Sequence, residues 1–232
     1  MKISILHLIE GAKKATGLTV IIDVFRAFTT ACYVFANGAE KIIIVGELDL
    51  AYKLKKDHPE FILMGEREGR MQPGFDYGNS PSQIEHVNFT NKTIIQTTSA
   101  GTQGIVNAKH ADEIITGSFV NAQAIVNYIR SVNPDVVSLV AMGHAGIQKC
   151  DEDKLCAEYI RSELENHSMD FNKIVSHLRN YKSARKFFDP AIDWAPERDF
   201  ELCLHLSRFD FVLKEREDND SYVSLSKQVV RS

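Results

Sequence analysis

Cysteine is scarce and unpatterned in this chain of 232 residues: four residues, at positions 32, 150, 156 and 203, with no C-x-x-C pair and no Cys/His ligand spacing. That argues against a zinc site or a disulfide framework and leaves buried thiols as the expectation. A basic excess is also missing. The formal charge of −4 argues against a nucleic-acid or anionic-membrane surface and favours a small-molecule partner. No apolar run approaches the roughly 20 residues of a membrane-spanning helix. The opening "MKISILHLIEGAKK" is too short in its apolar part, and lacks the small-residue cleavage site, to read as a secretory signal. Cytoplasm is therefore the expected compartment. Low-complexity tracts are absent too, and with 44% apolar and 25% charged residues the composition is that of an ordinary globular protein. One domain over residues 1–232 is expected, with the part from about residue 168 onward as a C-terminal extension completing the fold.

What is present is alternation. "TVIIDVFRAFTTACYVFANGAEKIIIVG" reads as a β-branched strand stopping at Asp23, a helix, and a second β-branched strand. "ELDLAYKLKKDHPE" follows as an amphipathic helix and "FILM" as a short buried strand. "KTIIQTTSAGTQGIVNAKHADEIITGSFVNAQAIVNYIR" repeats the plan, with "HADEIIT" standing where "NGAEKIII" stood, a weak internal βαβα repeat. "DVVSLVAMGHAGIQKCDEDKLCAEYIRSELEN" adds a strand, a glycine-bearing loop and a helix. Beyond residue 168 a helix around "FNKIVSHLRNYKSARKFF", a turn, a helix through "ELCLHL" and strands at "DFVLK" and "YVSLS" are expected, closing a sheet edge or a dimer interface. The fold class is α/β, three layers α/β/α around a mostly parallel or mixed sheet.

Ligands of such sheets bind beyond the carboxyl ends of the strands, which points to residues 23–26, 65–81, 97–102 and 143–153. Residues 65–81, "GEREGRMQPGFDYGNSP", form a long stretch without hydrophobic period, and such loops tend to be functional or disordered. At its end Ser80, Pro81 and Gln83 read as N-cap, first helical position and capping-box partner. Arg26 lies near a helix start, where a cation opposes the dipole; either it awaits a phosphate or sulfonate, or it pairs with Asp23 or a glutamate on the surface. "TTSAGTQG" supplies Thr97, Thr98, Ser99, Gly101 and Thr102, small residues whose amides and hydroxyls suit an anion, or a plain capping turn. It has neither the lysine of a Walker A loop nor G-x-G-x-x-G.

Glu66, Arg67, Glu68 and Arg70 follow a strand directly; alternating charges in a loop are usually solvated, but here they meet the other loops at one sheet edge. Asp151, Glu152 and Asp153 open a helix, either as dipole partners or as ligands of a hard cation. Mg²⁺ takes one or two carboxylates plus waters and phosphate oxygens, so Asp23, Glu66, Glu152 and Asp153 are more than enough candidates. His144 is a candidate general acid, although a lone loop histidine is more often incidental.

The segments "IDVFRAFTTA", "NGAEKIIIV", "GEREG", "GFDYGNSP", "TTSAGTQG", "GSFVNAQA" and "EDKLCA", in this order and spacing, resemble the 2-phosphosulfolactate phosphatase family. The resemblance implies an α/β/α fold built partly from a duplicated unit. It also implies a Mg²⁺-dependent phosphatase that hydrolyses 2-phosphosulfolactate to sulfolactate and phosphate on the route to coenzyme M. By that likeness Glu66, Arg67, Asn79 and Ser80 are functional candidates and the 65–81 stretch is ordered. The chain departs from the family's "TTNGT"-like turn at Ala100, leaving Ser99 to supply the contact.

The expected mechanism has Mg²⁺ held by Asp23 and one or more of Glu66, Glu152 and Asp153. Arg26 and the 97–102 turn bind the phosphoryl group and Arg67 clamps the second acid group. Direct attack by water is favoured over a covalent Asp23 intermediate, because "DVF" lacks the second aspartate of the haloacid-dehalogenase signature. The alternatives are a phosphatase for another phosphorylated 2-hydroxy acid and a non-catalytic protein that senses a phosphorylated metabolite. Base rates favour a homodimer.

Overall fold

The computed structural model of the chain describes residues 1–217 and 222–230. The N-terminal stretch forms β1 (Lys2–His7) and the short α1 (Leu8–Ala12). The first repeat unit is β2 (Gly17–Ile22), α2 (Ala27–Ala36), β3 (Lys41–Ile44), α3 (Leu48–Asp57) and β4 (Ile62–Gly65). After the short α4 (Pro81–Ile84) comes the second: β5 (Thr93–Thr97), α5 (Gly101–Asn107), β6 (Ala111–Gly117), α6 (Ala122–Val132) and β7 (Val136–Ala141). The remainder contributes α7 (Asp151–Leu164), α8 (Phe171–Asn180), α9 (Arg185–Phe188), α10 (Glu197–Cys203), β8 (Phe211–Glu217) and β9 (Val223–Val229). The four cysteines are buried and unpaired, as expected. Among the described residues no helix is long and apolar enough to cross a membrane.

The nine strands of the described residues form one mixed sheet in the order β1-β7-β2-β6-β8-β9-β3-β5-β4. The two repeat units exchange strands: β2 pairs in parallel with β6, and β3 with β5. With β1 left aside, exchanging β2, β3 and β4 with β5, β6 and β7, and β8 with β9, reproduces the order read backwards, so the units are related by a pseudo-two-fold passing through the β8–β9 hairpin. Between β6 and β3 lie three antiparallel pairings, and the two parallel halves therefore run in opposite senses.

Contrary to the expectation from the sequence, the C-terminal strands do not close an edge but fill the middle of the sheet, where each repeat unit presents an unpaired strand to the hairpin. Burying both partners satisfies backbone groups that two open edges would leave exposed.

Both faces are covered, as the β-branched runs require. On β2, Leu18, Val20 and Ile22 pack with Ile125, Ile129 and Ile160 of α6 and α7, while Ile21 turns to Phe28 of α2 and Ile105 of α5. On β3, Ile42 and Ile44 face α2, and Ile43 faces Ala51 and Leu54 of α3. This is the two-residue alternation of strands applied to two apolar layers. Helix α2 is buried along its whole length from Ala27 to Phe35, as a helix apolar on all sides must be. It packs against residues from both half-sheets, and its N-terminus is where their strand ends meet.

The single helix expected around "FNKIVSHLRNYKSARKFF" breaks at Tyr181, whose backbone is extended (φ −80°, ψ 150°). His177 before the break contacts Asp151 (2.7 Å), and Ser183 after it donates to Glu152 (2.6 Å). Two anchors on the first turn of α7 thus replace the continuous helix. Residues 65–81 are tied down rather than slack: Leu63 N donates to the Asp76 carboxylate (2.8 Å), Gly65 N to Tyr77 O (3.2 Å), and Tyr52 OH to Pro73 O (2.8 Å). Ser80 stands at the N-cap of α4, but the capping box does not form. Its hydroxyl donates to Asp199 (2.9 Å) instead, and Gln83 accepts from Gly78 N (3.3 Å).

Candidate active site

A cavity of about 330 Å³ opens where residues following β2, β4, β5 and β7 converge. Asp23, Glu66, Glu152 and Asp153 line it, and all four are nearly buried. Asp23 is the first residue beyond β2, and its Oδ1 accepts from Ala27 N in the first turn of α2 (3.0 Å). Asp153 joins two strand ends, accepting from Val24 N (2.8 Å) and Gly143 N (2.7 Å). Glu66 accepts from Ser99 N (2.7 Å), Gly69 N (2.7 Å) and Ser99 Oγ (3.1 Å), and so ties the β4 loop to the β5 loop.

Two glycines make this approach possible. Gly65 has φ +141°, and a Cβ there would fall 1.9 Å from Thr97 O; only glycine permits the turn that aims Glu66 inward. At Gly101 a Cβ would lie 2.8 Å from Ala27 Cβ and 3.0 Å from Asp23 Oδ2. Its absence keeps the space beside the carboxylate open.

The acidic residues are not equivalent electrically. Burial, aided by the neighbouring Glu66 and Glu152 charges, pushes Asp23 up to about 7. Burial together with Asp23 and Glu152 holds Asp153 well above the carboxylate range, and burial raises Glu152 as well. The carboxylates after β2 and at the start of α7 thus repel one another in a poorly solvated place. Half-buried Lys186 lines the same cavity, its pKa lowered by burial and by the Arg26 charge.

The sequence-derived candidates divide into two sets. Asp23, Arg26, Glu66, Asn79, Ser99, Glu152 and Asp153 border the cavity, and exposed His144 stands on its rim. Arg26 is buried and already paired: its guanidinium donates to Asp199 and to Trp194 O (2.8 Å) and lies 5.7 Å from the Trp194 ring. The surface pair with Asp23 or a glutamate does not form, because a fully buried aspartate from α10 takes its place. Arg67 faces away from the cavity, spending its donors on Glu66 O, Gly46 O and Thr97 Oγ1 (2.7, 2.8 and 2.7 Å). It braces the loop and is not placed to clamp a second acid group.

Thr98 and Thr102 bond each other reciprocally, Thr98 N to Thr102 Oγ1 (3.0 Å) and Thr102 N to Thr98 Oγ1 (3.2 Å). These two fulfil the capping-turn reading of "TTSAGTQG", Thr97 accepts from Arg67, and Ser99 and Ala100 of the same stretch line the cavity. Asp151 points to His177 instead of the cavity. Sequence reading missed Lys182, Ser183, Lys186 and Trp194, all lining residues from the segment read as one helix and a turn.

A hard cation asks for oxygen donors. Among the described residues no three His, Cys, Asp or Glu side chains converge tightly enough to enclose an ion by themselves. Mg²⁺ does not require that, since it keeps waters and takes one or two carboxylates plus phosphate oxygens. Asp23 Oδ2 accepts no hydrogen bond from the described residues, and Asn79 Oδ1 is buried beside the cavity with no partner. An unpartnered amide oxygen and mutually repelling carboxylates form an all-oxygen set that fits an ion shared with its ligand.

An acid-lined cavity at the strand ends of an α/β sheet is the architecture of a small-molecule enzyme. The chain belongs to the 2-phosphosulpholactate phosphatase family, whose model matches residues 3–218. Similar proteins include one from Carboxydothermus hydrogenoformans, 43% identical over 91% of this chain and 92% of that one. Another, from Bacillus subtilis, is 32% identical over 88% and 89% of the two chains, and one from Caldicellulosiruptor saccharolyticus is 37% identical over 80% and 86%. Each is named "Probable 2-phosphosulfolactate phosphatase".

Proposed function

We propose that this protein hydrolyses the phosphate monoester of a small acidic 2-hydroxy acid in the presence of Mg²⁺, with 2-phosphosulfolactate as first substrate and sulfolactate and phosphate as products. The observation that carries the reading is the convergence of Asp23, Glu66, Glu152 and Asp153 on one cavity. The family membership and the relatives' names agree with it. Four unpaired thiols suit a reducing compartment such as the cytoplasm.

Asp23 and Glu152, with Asn79 Oδ1, are the residues that would hold the ion. When bound, Mg²⁺ would neutralise charge on the phosphoryl oxygens and in the transition state. The chain's own residues do the rest. Arg26, fixed by Asp199, presents its positive edge beside Trp194 to the phosphoryl group. Glu66 and Asp153, their oxygens engaged by backbone amides, hold the loops in register. Water attacks phosphorus and the ester P–O bond breaks; the hydroxyl of the water stays on phosphorus, its other proton ends on the leaving 2-oxygen, and His144 on the rim is the side chain placed to relay it.

The test is phosphate release from a panel of phosphorylated 2-hydroxy acids, assayed with Mg²⁺ and with EDTA. Release of phosphate from 2-phosphosulfolactate that EDTA abolishes is expected. A preference for another phospho-acid would move the substrate and keep the reaction. Tight binding of the panel without phosphate release would make the protein a phospho-metabolite sensor.

A further inference from the structure

A substrate carrying acidic groups besides its phosphate must find cations in a cavity that is mostly acidic. Arg67 cannot serve, since its donors are spent on the loop. Arg26, held by Asp199, is already assigned to the phosphoryl group. The cations that line the cavity without such a partner are Lys182 and Lys186.

These two lysines stand four residues apart on the short helical segment formed by Lys182–Ala184 and Arg185–Phe188, and side chains so spaced share a face. Neither ammonium forms an ion pair or a hydrogen bond with the described residues; Lys186 lies 5.1 Å from the Phe187 ring and Lys182 6.0 Å from the Tyr181 ring. Between them, Ser183 donates to Glu152 Oε2 (2.6 Å), which pins the segment against the acidic residues. The break at Tyr181 directs it there. The Glu152 and Asp23 charges act on Lys186 through space, but no carboxylate touches its ammonium, and a half-buried ammonium without such contact is costly to keep unless a ligand supplies the anion.

We propose that Lys186, assisted by Lys182, binds the sulfonate or carboxylate of the substrate and makes the site specific for phosphate esters that carry a further acid group. The phosphoryl group then lies toward Asp23 and Arg26, and the acid group toward the 182–186 segment. The assignment rests on the phosphatase reading for its substrate class, so its test includes a binding arm that needs no turnover.

In the first arm, kcat/KM is measured on 2-phosphosulfolactate and on isopropyl phosphate, an ester of a secondary alcohol without an acid group. Lys186→Met should cut the ratio of the two values on the order of 30-fold, mostly through KM, the loss expected for one charge-assisted contact. Lys186→Arg should restore part of it. Lys182→Gln, at an exposed position, should cut the ratio about threefold and keeps the test open if Lys186→Met does not fold. An equal fall on both esters, or no fall, would overturn the assignment.

In the second arm, sulfolactate is titrated calorimetrically into the full chain with Mg²⁺ present. Binding at least tenfold weaker in Lys186→Met is expected. Unchanged affinity, or no binding by the unmodified chain, would overturn the proposal. Should the unmodified chain bind sulfolactate but release no phosphate from either ester, the phosphatase reading fails and this second arm alone decides the lysine.

Discussion

The two repeat units share a scaffold and differ in what they place at its rim. "TVIID" (19–23) corresponds to "TIIQT" (93–97), and "LMGE" (63–66) to "AMGH" (141–144). Where the first unit carries Asp23, Arg26 and Glu66, the second carries Thr97, Ala100 and His144. The glycines before Glu66 and His144 both have positive φ, +141° and +66°, so the turn that aims the next residue persists while the residue itself has changed. The first unit supplies charge. The second supplies amides, hydroxyls and empty space: Ser99 N holds Glu66, and Gly101 leaves room beside Asp23. Chemistry can thus diverge at the ends of strands whose packing is fixed by a common core.

The largest effect is expected where the charged unit is disarmed. Asp23→Asn should lower kcat by about 10³-fold or more, given the several kcal/mol that a buried group in direct contact with the reaction supplies. The same change should stabilise the metal-free fold. The folded Asp23 pKa of about 7 lies above the ordinary 3.8, so the folded state keeps a proton that the unfolded chain has lost between these values. The contribution of Asp23 to stability therefore falls as pH rises through that window and is lost above about 7. In EDTA at pH 8, the asparagine variant should gain on the order of 2 kcal/mol by thermal denaturation, as removal of a buried unpaired charge predicts.

Next comes Asp199, which pairs with Arg26 at the start of α2 and reaches Ser80 and Ser82 N. Asp199→Ala strands a buried guanidinium and should cost about 3–5 kcal/mol in urea unfolding. Gly101→Ala probes the uncharged unit. The added methyl meets Ala27 and Asp23 and should destabilise by about 1–3 kcal/mol while lowering activity through displacement of the carboxylate. An active, stable alanine variant would show that the space is not needed. The smallest effect belongs to Arg67→Lys: KM should stay within about threefold and stability should fall by about 1 kcal/mol, because lysine replaces a loop brace and not a substrate contact. A large rise in KM would return Arg67 to the cavity.

Much of this was legible in the sequence. The β-branched runs and their small-residue turns gave the α/β alternation, the repeat, and four of the segments that converge on the cavity. The position of the β8–β9 hairpin was not legible, because an antiparallel pair at the chain's end carries no local mark of which open strands it joins. The Arg26 to Asp199 pair spans 173 positions, beyond any spacing rule. Arg67 was misassigned because its direction follows from the Gly65 turn and not from its charge. Lys182 and Lys186 were hidden within a stretch whose period reads as an ordinary amphipathic helix; two polar anchors on α7 decide that it breaks and turns inward.

On the proposed reading, Asp23 and its acidic neighbours form a cation site coupled to proton binding. Calorimetric titration of Mg²⁺ into the metal-free chain at pH 6 and pH 8 decides whether they do. Affinity should be roughly tenfold or more higher at pH 8, because the ion displaces a proton held near pH 7 on Asp23, and Asp23→Asn should reduce the difference to what the raised Glu152 contributes. Equal affinity at both pH values, or binding indifferent to the asparagine, would contradict the account.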